Sequence, residues 1–429
     1  MKEISRRNFL RMASLTAVGA GLAGAGFFNE TLGEAMPKEK ERVNMAKGNL
    51  GFGWMRLPLK SADSKDIDLM QVSQMVDEYM AAGYNYFDTS FVYHDGKSEN
   101  AIRECLVKRK PRESFILASK LPTFIIKDEQ QVIDIFHQQL ANCGVDYFDY
   151  FLLHNLNVIR YDDEVKNCHM FEHLKKWQAE GKIRHIAFSF HDTADVLDRI
   201  LTEHPEVEAV QIVVNYLDWD ARLIQAHKCY ETIRKHGRDV LIMEPVKGGL
   251  LAKAPKEAEK LMKEAQPGKS IASWGIRFAG ELDGVLSVIS GMSSLEQVRD
   301  NVATMQEFEQ LSEREKEILH EVSRIYQENG PAGTADFSAY EMVNPKGISA
   351  ATILETWNNC MIQPVPGFAA EQNYFTSEKA KHGIPMEESC LPEKVITADG
   401  RNITAMAKEA EKFLMEHGFF RYEVKETAG

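Results

Sequence analysis

The chain of 429 residues has few cysteines, no long apolar run and no excess of basic side chains. Six scattered cysteines are too few for a fold held together by disulfides. No stretch approaches about 18 consecutive apolar residues, so a protein that spans a membrane several times is excluded. Its 64 acidic and 51 basic side chains give a net charge of −13, which argues against a nucleic-acid-binding protein. A composition of 44% apolar and 27% charged residues is that of a globular protein.

The N-terminus has a basic start followed by a mildly apolar segment. Residues 5–10 read SRRNFL, and an Ala- and Gly-rich run extends over residues 12–28. This layout is typical of a signal peptide, and the SRRxFL core resembles a twin-arginine export signal. The resemblance implies that the twin-arginine translocation machinery exports the folded chain to the periplasm or cell envelope. We predict a signal segment over residues 1–35, which is either cleaved after Ala35 or kept as a membrane tether.

Short, nearly continuous apolar runs alternate with amphipathic stretches along residues 36–330. Helical spacing of apolar residues predicts helices over 66–82, 129–143 and 164–180. The apolar runs predict eight strands, near residues 50–55, 84–90, 115–120, 147–154, 183–190, 209–215, 240–246 and 285–291. Eight such units predict an α/β fold, a (β/α)8 TIM barrel, with a small, mainly helical C-terminal appendage over residues 331–429.

Polar side chains lie at the ends of several predicted strands. Asp88, Lys120 and His154 follow three consecutive apolar runs, and Tyr93 lies shortly after the first of them. A charged group at the end of an apolar strand is costly unless it is paired or used. The C-terminal ends of barrel strands share one face, which is where such folds carry their active sites. The sequence therefore predicts a site at this face.

These strand ends lie within motifs of a known family. Residues 86–93 read YFDTSFVY and resemble the aldo-keto reductase signature. Segments 115–120, 149–154, 186–189, 210–211 and 291–301 resemble that family's further motifs in the same order. The resemblance covers about residues 44–310, the whole predicted barrel.

The resemblance implies four catalytic residues and the chemistry of carbonyl reduction. Tyr93 would be the proton donor, and His154 would position the substrate carbonyl. A tyrosine has an ordinary pKa of about 10, and a neighbouring ammonium lowers it. Lys120 would supply that ammonium, and Asp88 would hold Lys120 in place.

The resemblance also implies NADP(H) as the cofactor. The implied contacts are Ser189, Gln211, Met243, Lys247, Gly249, Leu250, Gly291, Ser293, Gln297 and Asn301. Residues 246–250 resemble the family's loop beside the pyrophosphate, where Lys247 would add positive charge. Two positions depart from the family pattern. Phe190 stands where many members have the Asn that follows the serine, and Met292 stands where a basic residue often faces the 2′-phosphate. Arg299 is a nearby candidate for that contact.

The tail resembles a ferredoxin-like domain whose cluster cysteines are absent. Residues 333–348 read GTADFSAYEMVNPKGI, which keeps the end of such a motif without its cysteines. Only Cys360 and Cys390 remain in the tail, whereas a cubane cluster needs four thiolates. We therefore expect no iron–sulfur cluster and no metal site.

The sequence as a whole favours an NADP(H)-dependent oxidoreductase with a small-molecule carbonyl or sugar substrate. It would reduce an aldehyde or ketone, or oxidise a sugar-like alcohol, with Tyr93 as the proton donor and a cofactor loaded before export. An alternative is an exported nucleotide-binding, redox-sensing or partner-docking protein that keeps the barrel without significant turnover. A hydrolase is disfavoured, because Asp88 and Glu244 form no clear pair of facing carboxylates.

Overall fold

The structure is a computed structural model that describes residues 49–61, 64–341, 346–371 and 374–418. The predicted signal segment, 1–35, lies outside the described residues. Residues 342–345, which belong to the cysteine-free tail motif, also lie outside them.

Eight parallel strands close into a barrel in sequence order, which confirms the predicted fold class. The strands are β1 (Leu50–Gly53), β2 (Tyr86–Asp88), β3 (Ile116–Leu121), β4 (Phe148–Leu156), β5 (Ile183–Phe190), β6 (Ala209–Val213), β7 (Asp239–Met243) and β8 (Val285–Gly291). Predicted and observed bounds agree within three residues. Strands β1, β2, β6 and β7 end two or three residues earlier than predicted, because the residues that follow them are loop. Strand β4 ends two residues later than predicted.

Helices follow the strands and cover the outside of the barrel. They are α1 (Leu69–Ala81), α2 (Ser98–Ile102), α3 (Glu129–Cys143), α4 (Met170–Ala179), α5 (Ala194–Glu203), α6 (Ala226–Lys235), α7 (Lys256–Ala265), α8 (Ile271–Gly280), α9 (Leu295–Gln306) and α10 (Glu313–Glu328). Four tail helices follow: α11 (Ala350–Met361), α12 (Pro366–Glu371), α13 (Phe375–Lys381) and α14 (Thr404–His417). Helical turns Val158–Arg160 and Tyr161–Val165 occupy the insert after β4.

Capping residues fix where several helices begin. Asp128 begins α3 by accepting a hydrogen bond from the backbone N–H of Gln131, and Gly144 ends the helix in a left-handed conformation. Ser312 and Glu315 form a capping box at the start of α10. These signals are local in sequence, and the predicted helix 129–143 agrees with α3. The predicted helix 164–180 starts six residues before α4, and the predicted helix 66–82 starts three residues before α1.

The barrel core is close-packed between the strands and the surrounding helices. Strand residues such as Phe52, Leu117 and Phe151 have no exposed surface, as expected for parallel strands covered on both sides. Gly51 permits the close approach of β8, because a Cβ at this position would lie 2.4 Å from the Ser287 hydroxyl. This close packing fixes the strands, and therefore the positions of the side chains at their ends.

The tail packs against the C-terminal face of the barrel. Its own core contains Leu354, Trp357 and Phe375, and Leu223 from the loop after β6 inserts into it. Helix α10 contacts both parts, because Ser323 donates a hydrogen bond to the carbonyl of Tyr216 beyond β6 and Gln327 donates one to Asn359 Oδ1 on α11. The mainly helical nature of the tail agrees with its sequence, and the domain boundary at residue 330 stays a prediction.

The described residues include no helix that is long and apolar enough to cross a membrane. In the same part of the chain, no group of three or more His, Cys, Asp or Glu side chains is arranged to hold a metal ion. Cys360 and Cys390 are buried free thiols.

Candidate active site

Strands β2 and β3 and the loop after β2 bring three of the predicted catalytic residues into contact. Lys120 Nζ lies 2.5 Å from Asp88 Oδ1 and 3.2 Å from the hydroxyl of Tyr93. It also donates a hydrogen bond of 2.8 Å to the carbonyl of Thr89. Asp88 and Lys120 are almost fully buried, at 2% and 1% exposed. A buried ion pair with a further donor contact to a phenol matches the arrangement that the sequence predicts.

A tight turn holds Tyr93 over Lys120. The carbonyl of Tyr93 accepts hydrogen bonds from the backbone N–H groups of Gly96 and Ser98. His94 and Asp95 both have φ of 53°, a left-handed conformation that costs energy in residues other than glycine. His94 Nε2 accepts a hydrogen bond from the backbone N–H of Leu57, at 3.1 Å. The turn is therefore tied to the segment that follows β1.

His154 completes the set of four at the end of β4. Its Nδ1 shares a hydrogen bond of 3.0 Å with the Ser90 hydroxyl, and its ring meets the Tyr93 ring edge-to-face at 5.7 Å. Thr123 donates a hydrogen bond to the His154 carbonyl, and the ring of Phe124 packs on the imidazole. These contacts fix the imidazole beside the phenol.

The charges of the site are set by burial and by Lys120. Burial lowers the pKa of Lys120, but Asp88 and Tyr93 outweigh it, so that pKa is raised and the ammonium stays charged. Burial raises the pKa of Tyr93, and Lys120 offsets only part of the rise. The net direction is opposite to the sequence expectation, because burial of the phenol outweighs the ammonium. Burial, followed by Lys120, lowers the pKa of His154 well below its ordinary value. The site thus holds a protonated phenol and a neutral imidazole at neutral pH.

Ser189 and Gln211 lie next to these residues at the ends of β5 and β6. Ser189 Oγ accepts a hydrogen bond of 2.8 Å from the backbone N–H of Asn155. The side-chain amide of Gln211 donates to Asp88 Oδ2 at 3.4 Å. Its buried Oε1 has no hydrogen-bond partner among the described residues. An acceptor in this state is unusual in a folded protein and fits a ligand that brings an N–H group.

The loop after β7 has a left-handed backbone and a neutralised lysine. Lys247, Gly248 and Gly249 have φ of 44°, 64° and 98°. Lys247 Nζ contacts both carboxylate oxygens of Asp218 at 2.6 Å, and both residues are buried. Asn215 donates a further hydrogen bond to Asp218. The charge that the sequence assigned to a phosphate is therefore matched within the protein, and a role for Lys247 in binding stays a prediction.

Two further predicted contact residues flank this loop. Met243 is half-buried at the end of β7, where its side chain is available for an apolar contact. Leu250 is 8% exposed, and its carbonyl accepts a hydrogen bond from the hydroxyl of Tyr326 on α10.

The predicted adenosine contacts gather at the end of β8 and the start of α9. Gly291 ends β8, and Ser293 donates a hydrogen bond of 2.7 Å to the carbonyl of Arg56. The side-chain oxygen of Gln297 accepts from the backbone N–H of Ser293 at 2.7 Å. Asn301 is buried and donates to the hydroxyl of Ser290. Gln297 and Asn301 thus have local partners in this structure.

Phe190 and Met292 depart from the family pattern, and both lie in the barrel core, Phe190 at 1% exposed. Met292 is fully buried in the barrel core. Arg299 forms a bidentate ion pair with Glu78 on α1, at 2.6 and 2.7 Å. Its guanidinium is already partnered, which weakens the expectation that it contacts a 2′-phosphate.

The tail covers part of the barrel mouth, which is the open face formed by the C-terminal ends of the strands. A cavity of about 70 Å³ lies between the ends of β5–β7 and helix α11. Residues from both parts line it, among them Arg56, His191, Glu244, Glu355, Asn359 and Tyr374. Lys381 on α13 hydrogen-bonds to Thr193 Oγ1 at 2.5 Å and lies 3.7 Å from the buried carboxylate of Asp192. Arg222 contacts Glu355 on α11 through its backbone N–H.

Several of these residues were missed by reasoning from sequence. Arg56 follows β1. The rule that functional residues lie at the C-terminal ends of barrel strands would have identified it if the rule had been applied to the first strand as well. Thr123 also follows a strand end. Nothing in the tail sequence indicates that Asn359 or Tyr374 faces the barrel.

Comparison with known sequences and structures gives a consistent result. The profile of the family described as "Aldo/keto reductase family" matches residues 49–324. The uncharacterized oxidoreductase YqkF of Bacillus subtilis is 23% identical over 288 residues, which are 58% of this chain and 89% of that protein. L-galactose dehydrogenase of Arabidopsis thaliana is 26% identical over 267 residues, 58% of this chain and 82% of that protein.

Solved structures show the same fold at low sequence identity. The aldo-keto reductase AKR11C1 from Bacillus halodurans, in its holo form, has a TM-score of 0.52 and 22% identity, and the match covers 65% of this chain and 94% of that one. An aldo-keto reductase from Klebsiella pneumoniae in complex with NADPH has a TM-score of 0.52 and 20% identity, and the match covers 66% and 96%.

Proposed function

Because the chain belongs to the aldo/keto reductase family, we propose that it is an NADP(H)-dependent oxidoreductase in which Tyr93 is the proton donor. The reaction is reduction of an aldehyde or ketone, or the reverse oxidation of a sugar-like alcohol. The observation that carries the proposal is the hydrogen bond between Lys120 and the Tyr93 hydroxyl, with Asp88 on the other side of the ammonium.

The four residues provide the proton side of carbonyl reduction. When bound, NADPH supplies the hydride. The Tyr93 hydroxyl donates its proton to the carbonyl oxygen, and the Lys120 ammonium stabilises the phenolate that remains. The neutral imidazole of His154 lies beside the phenol, where it orients the carbonyl oxygen. Asp88 keeps Lys120 charged and in place.

The residues near the catalytic tetrad (Asp88, Tyr93, Lys120 and His154) fit the carboxamide of a nicotinamide cofactor. A carboxamide presents an NH2 donor and a C=O acceptor. Gln211 Oε1, which has no partner among the described residues, would accept from the NH2 group, and the Ser189 hydroxyl would donate to the carbonyl oxygen. The Klebsiella pneumoniae aldo-keto reductases were solved with NADPH or NADP, which supports NADP(H) as the cofactor.

The proposed substrate is a small carbonyl compound or its alcohol, and a sugar is the leading class. The similarity to L-galactose dehydrogenase supports a sugar-like alcohol. Two apolar side chains near the mouth, Met55 and Ile125, are 44% and 43% exposed. They would contact the apolar part of a simple aldehyde, which is the second class. A panel of sugars, aldehydes and ketones, assayed with NADPH and NADH, separates the two classes.

We further propose that the chain works in the periplasm or cell envelope and leaves the cytoplasm through the twin-arginine machinery. The sequence SRRNFL supports this proposal. Replacement of Arg6 and Arg7 by lysine is expected to leave the protein in the cytoplasmic fraction. Export of that variant at the wild-type level would contradict it.

An exported reductase needs a cofactor that stays bound, so we propose that NADP(H) is loaded before export. The contacts of the tail with the barrel mouth support retention, because the tail covers the strand ends from which a cofactor would leave. The expected result is that denatured, exported protein releases NADP(H), identified by chromatography. Protein that carries no nucleotide and releases added NADPH rapidly would overturn retention.

The experiment that tests the proposed function is the substrate panel with wild type and Tyr93→Phe. Turnover by wild type, lost in the variant with unchanged NADPH affinity, supports it. NADPH binding without turnover of any compound would favour a nucleotide-binding or redox-sensing protein instead.

A further inference from the structure

Arg56 lies where three parts of the barrel mouth meet. It ends the helical turn Trp54–Arg56 that follows β1, and it is exposed. Its side chain passes over two glycines, Gly248 in the loop after β7 and Gly291 at the end of β8. A Cβ at Gly248 would lie 2.9 Å from Arg56 Nη2, and one at Gly291 would lie 3.4 Å from its Cδ. Glycine at both positions therefore makes room for the arginine.

The other cations that the sequence offered for phosphate binding already have partners. Lys247 is paired with Asp218 inside the protein, and Arg299 is paired with Glu78 on α1. The Arg56 guanidinium makes no ion pair or hydrogen bond with the residues that the structure describes. It lines the cavity between barrel and tail, together with Glu244.

We propose that Arg56 binds the diphosphate of the nucleotide and supplies the positive charge that the sequence assigned to Lys247. This inference rests on the proposed function. A guanidinium presents a planar set of donors that matches two phosphate oxygens at once, and such charge-assisted bonds are stronger than neutral ones.

The loop beside Arg56 suits the same ligand. Lys247, Gly248 and Gly249 are all left-handed, and glycine lets a phosphate approach the backbone closely. The backbone N–H groups of Lys247 and Gly249 already donate to the carbonyls of Glu244 and Val246, so the loop offers a phosphate the open backbone at its glycines and not a full set of free N–H donors. Burial raises the pKa of Glu244, and the positive charges of Lys247 and Arg56 oppose the shift. A diphosphate placed here lies between the guanidinium and the loop.

The test measures NADPH dissociation constants, by quenching of protein fluorescence, at low and high salt. Arg56→Met and Arg56→Gln remove the charge, and Arg314→Met on α10 is the control for loss of an exposed arginine. We expect the two neutral variants to bind NADPH about 10- to 100-fold more weakly at low salt, with a smaller salt dependence. The control binds as wild type does.

The proposal is wrong if either neutral variant, folded as judged by circular dichroism, binds NADPH within about two-fold of wild type at low salt. Wild-type protein that fails to bind NADPH at all overturns the proposed function as well. Near-wild-type binding by the Arg56 variants leaves the cofactor assignment in place, whereas failure of the wild type to bind NADPH removes it. The two failures are therefore distinguishable.

Discussion

The ammonium of Lys120 donates a hydrogen bond to the phenol oxygen of Tyr93, and the carboxylate of Asp88 lies on its other side at 2.5 Å. Asp88 and Tyr93 lie five residues apart at the end of β2 and in the loop after it, whereas Lys120 lies 32 residues beyond Asp88 on β3. The parallel pairing of β2 with β3 brings all three groups to one end of the barrel. The pair Asp88–Lys120 is buried, so neither group can be removed without leaving the other as an unpaired charge. In the proposed function, the same ammonium that pairs with Asp88 prepares the phenol for proton transfer.

Replacing Lys120 with methionine is expected to lower kcat for carbonyl reduction by about 100-fold or more, because the phenolate loses its stabilising charge. Asp88→Asn in the same chain removes the unpaired carboxylate and serves as the control for misfolding. NADPH affinity should change by less than about three-fold in the double variant. Unchanged kcat in the folded double variant would contradict the role of Lys120.

The pH dependence of reduction follows from the direction of the Tyr93 shift. The raised pKa keeps the phenol protonated throughout the neutral range, so the proton donor is present there. We expect kcat for reduction to be flat across neutral pH and to fall only in the alkaline range. The reverse oxidation needs the phenolate and should rise with pH. A fall of the reduction rate below neutral pH, absent in Tyr93→Phe, would contradict the assignment.

Lys247 is predicted to be a structural residue. Lys247→Met leaves Asp218 buried without its partner and should lower the free energy of unfolding by about 3–5 kcal/mol. Adding Asp218→Asn should restore most of that loss. The folded double variant should bind NADPH as wild type does, measured by fluorescence titration. Weak binding by a stable double variant would return Lys247 to the phosphate site.

Lys381 is predicted to hold the tail on the barrel. Lys381→Met removes its contacts with Thr193 and the buried Asp192, so the tail should open more often. We expect NADPH to dissociate about ten-fold faster, which corresponds to about 1.4 kcal/mol. Lys412→Met, on the exposed face of α14, is the matched control. Equal dissociation rates in wild type and Lys381→Met, measured by stopped-flow chase, would separate the tail from cofactor retention.

His191 is predicted to make the fold sensitive to acid. Burial lowers its pKa to about 4 from an ordinary value of 6.5. The unfolded chain therefore binds the proton more readily, and the stability present above pH 6.5 is lost as pH falls towards 4. The loss is about 2 kcal/mol between about pH 7 and pH 4.5. His191→Gln should lose less stability over this interval in urea unfolding, and an identical loss in both proteins would contradict the assignment.

Local patterns made the barrel and the tetrad predictable from sequence. Each strand is a short apolar run, and Asp88, Lys120 and His154 each lie at the end of such a run. The strands and these three residues could therefore be recognised without long-range information. The bounds of β2 and β6 were overestimated, because apolar or polar residues beyond a strand end look like its continuation. The direction of the Tyr93 pKa shift depends on how deeply the phenol is buried, and the spacing of residues in the sequence does not give that burial.

Long-range pairing explains what the sequence could not provide. Arg299 and Glu78 are separated by 221 positions, and Lys381 and Thr193 by 188. The partner of Lys247 is only 29 positions away, yet it lies on another loop of the barrel. Such contacts depend on the closed barrel and on the docked tail, so the roles of Lys247, Arg299 and the tail emerge only from the structure.

The most direct test of the central claim is a single-turnover experiment on full-length protein loaded with NADPH. The protein is mixed with a substrate from the panel, and NADPH oxidation is followed in wild type and in Tyr93→Phe. The account predicts that the variant reduces the substrate about 100- to 10,000-fold more slowly while its NADPH affinity is unchanged. Oxidation of NADPH at the same rate in both proteins would contradict Tyr93 as the proton donor.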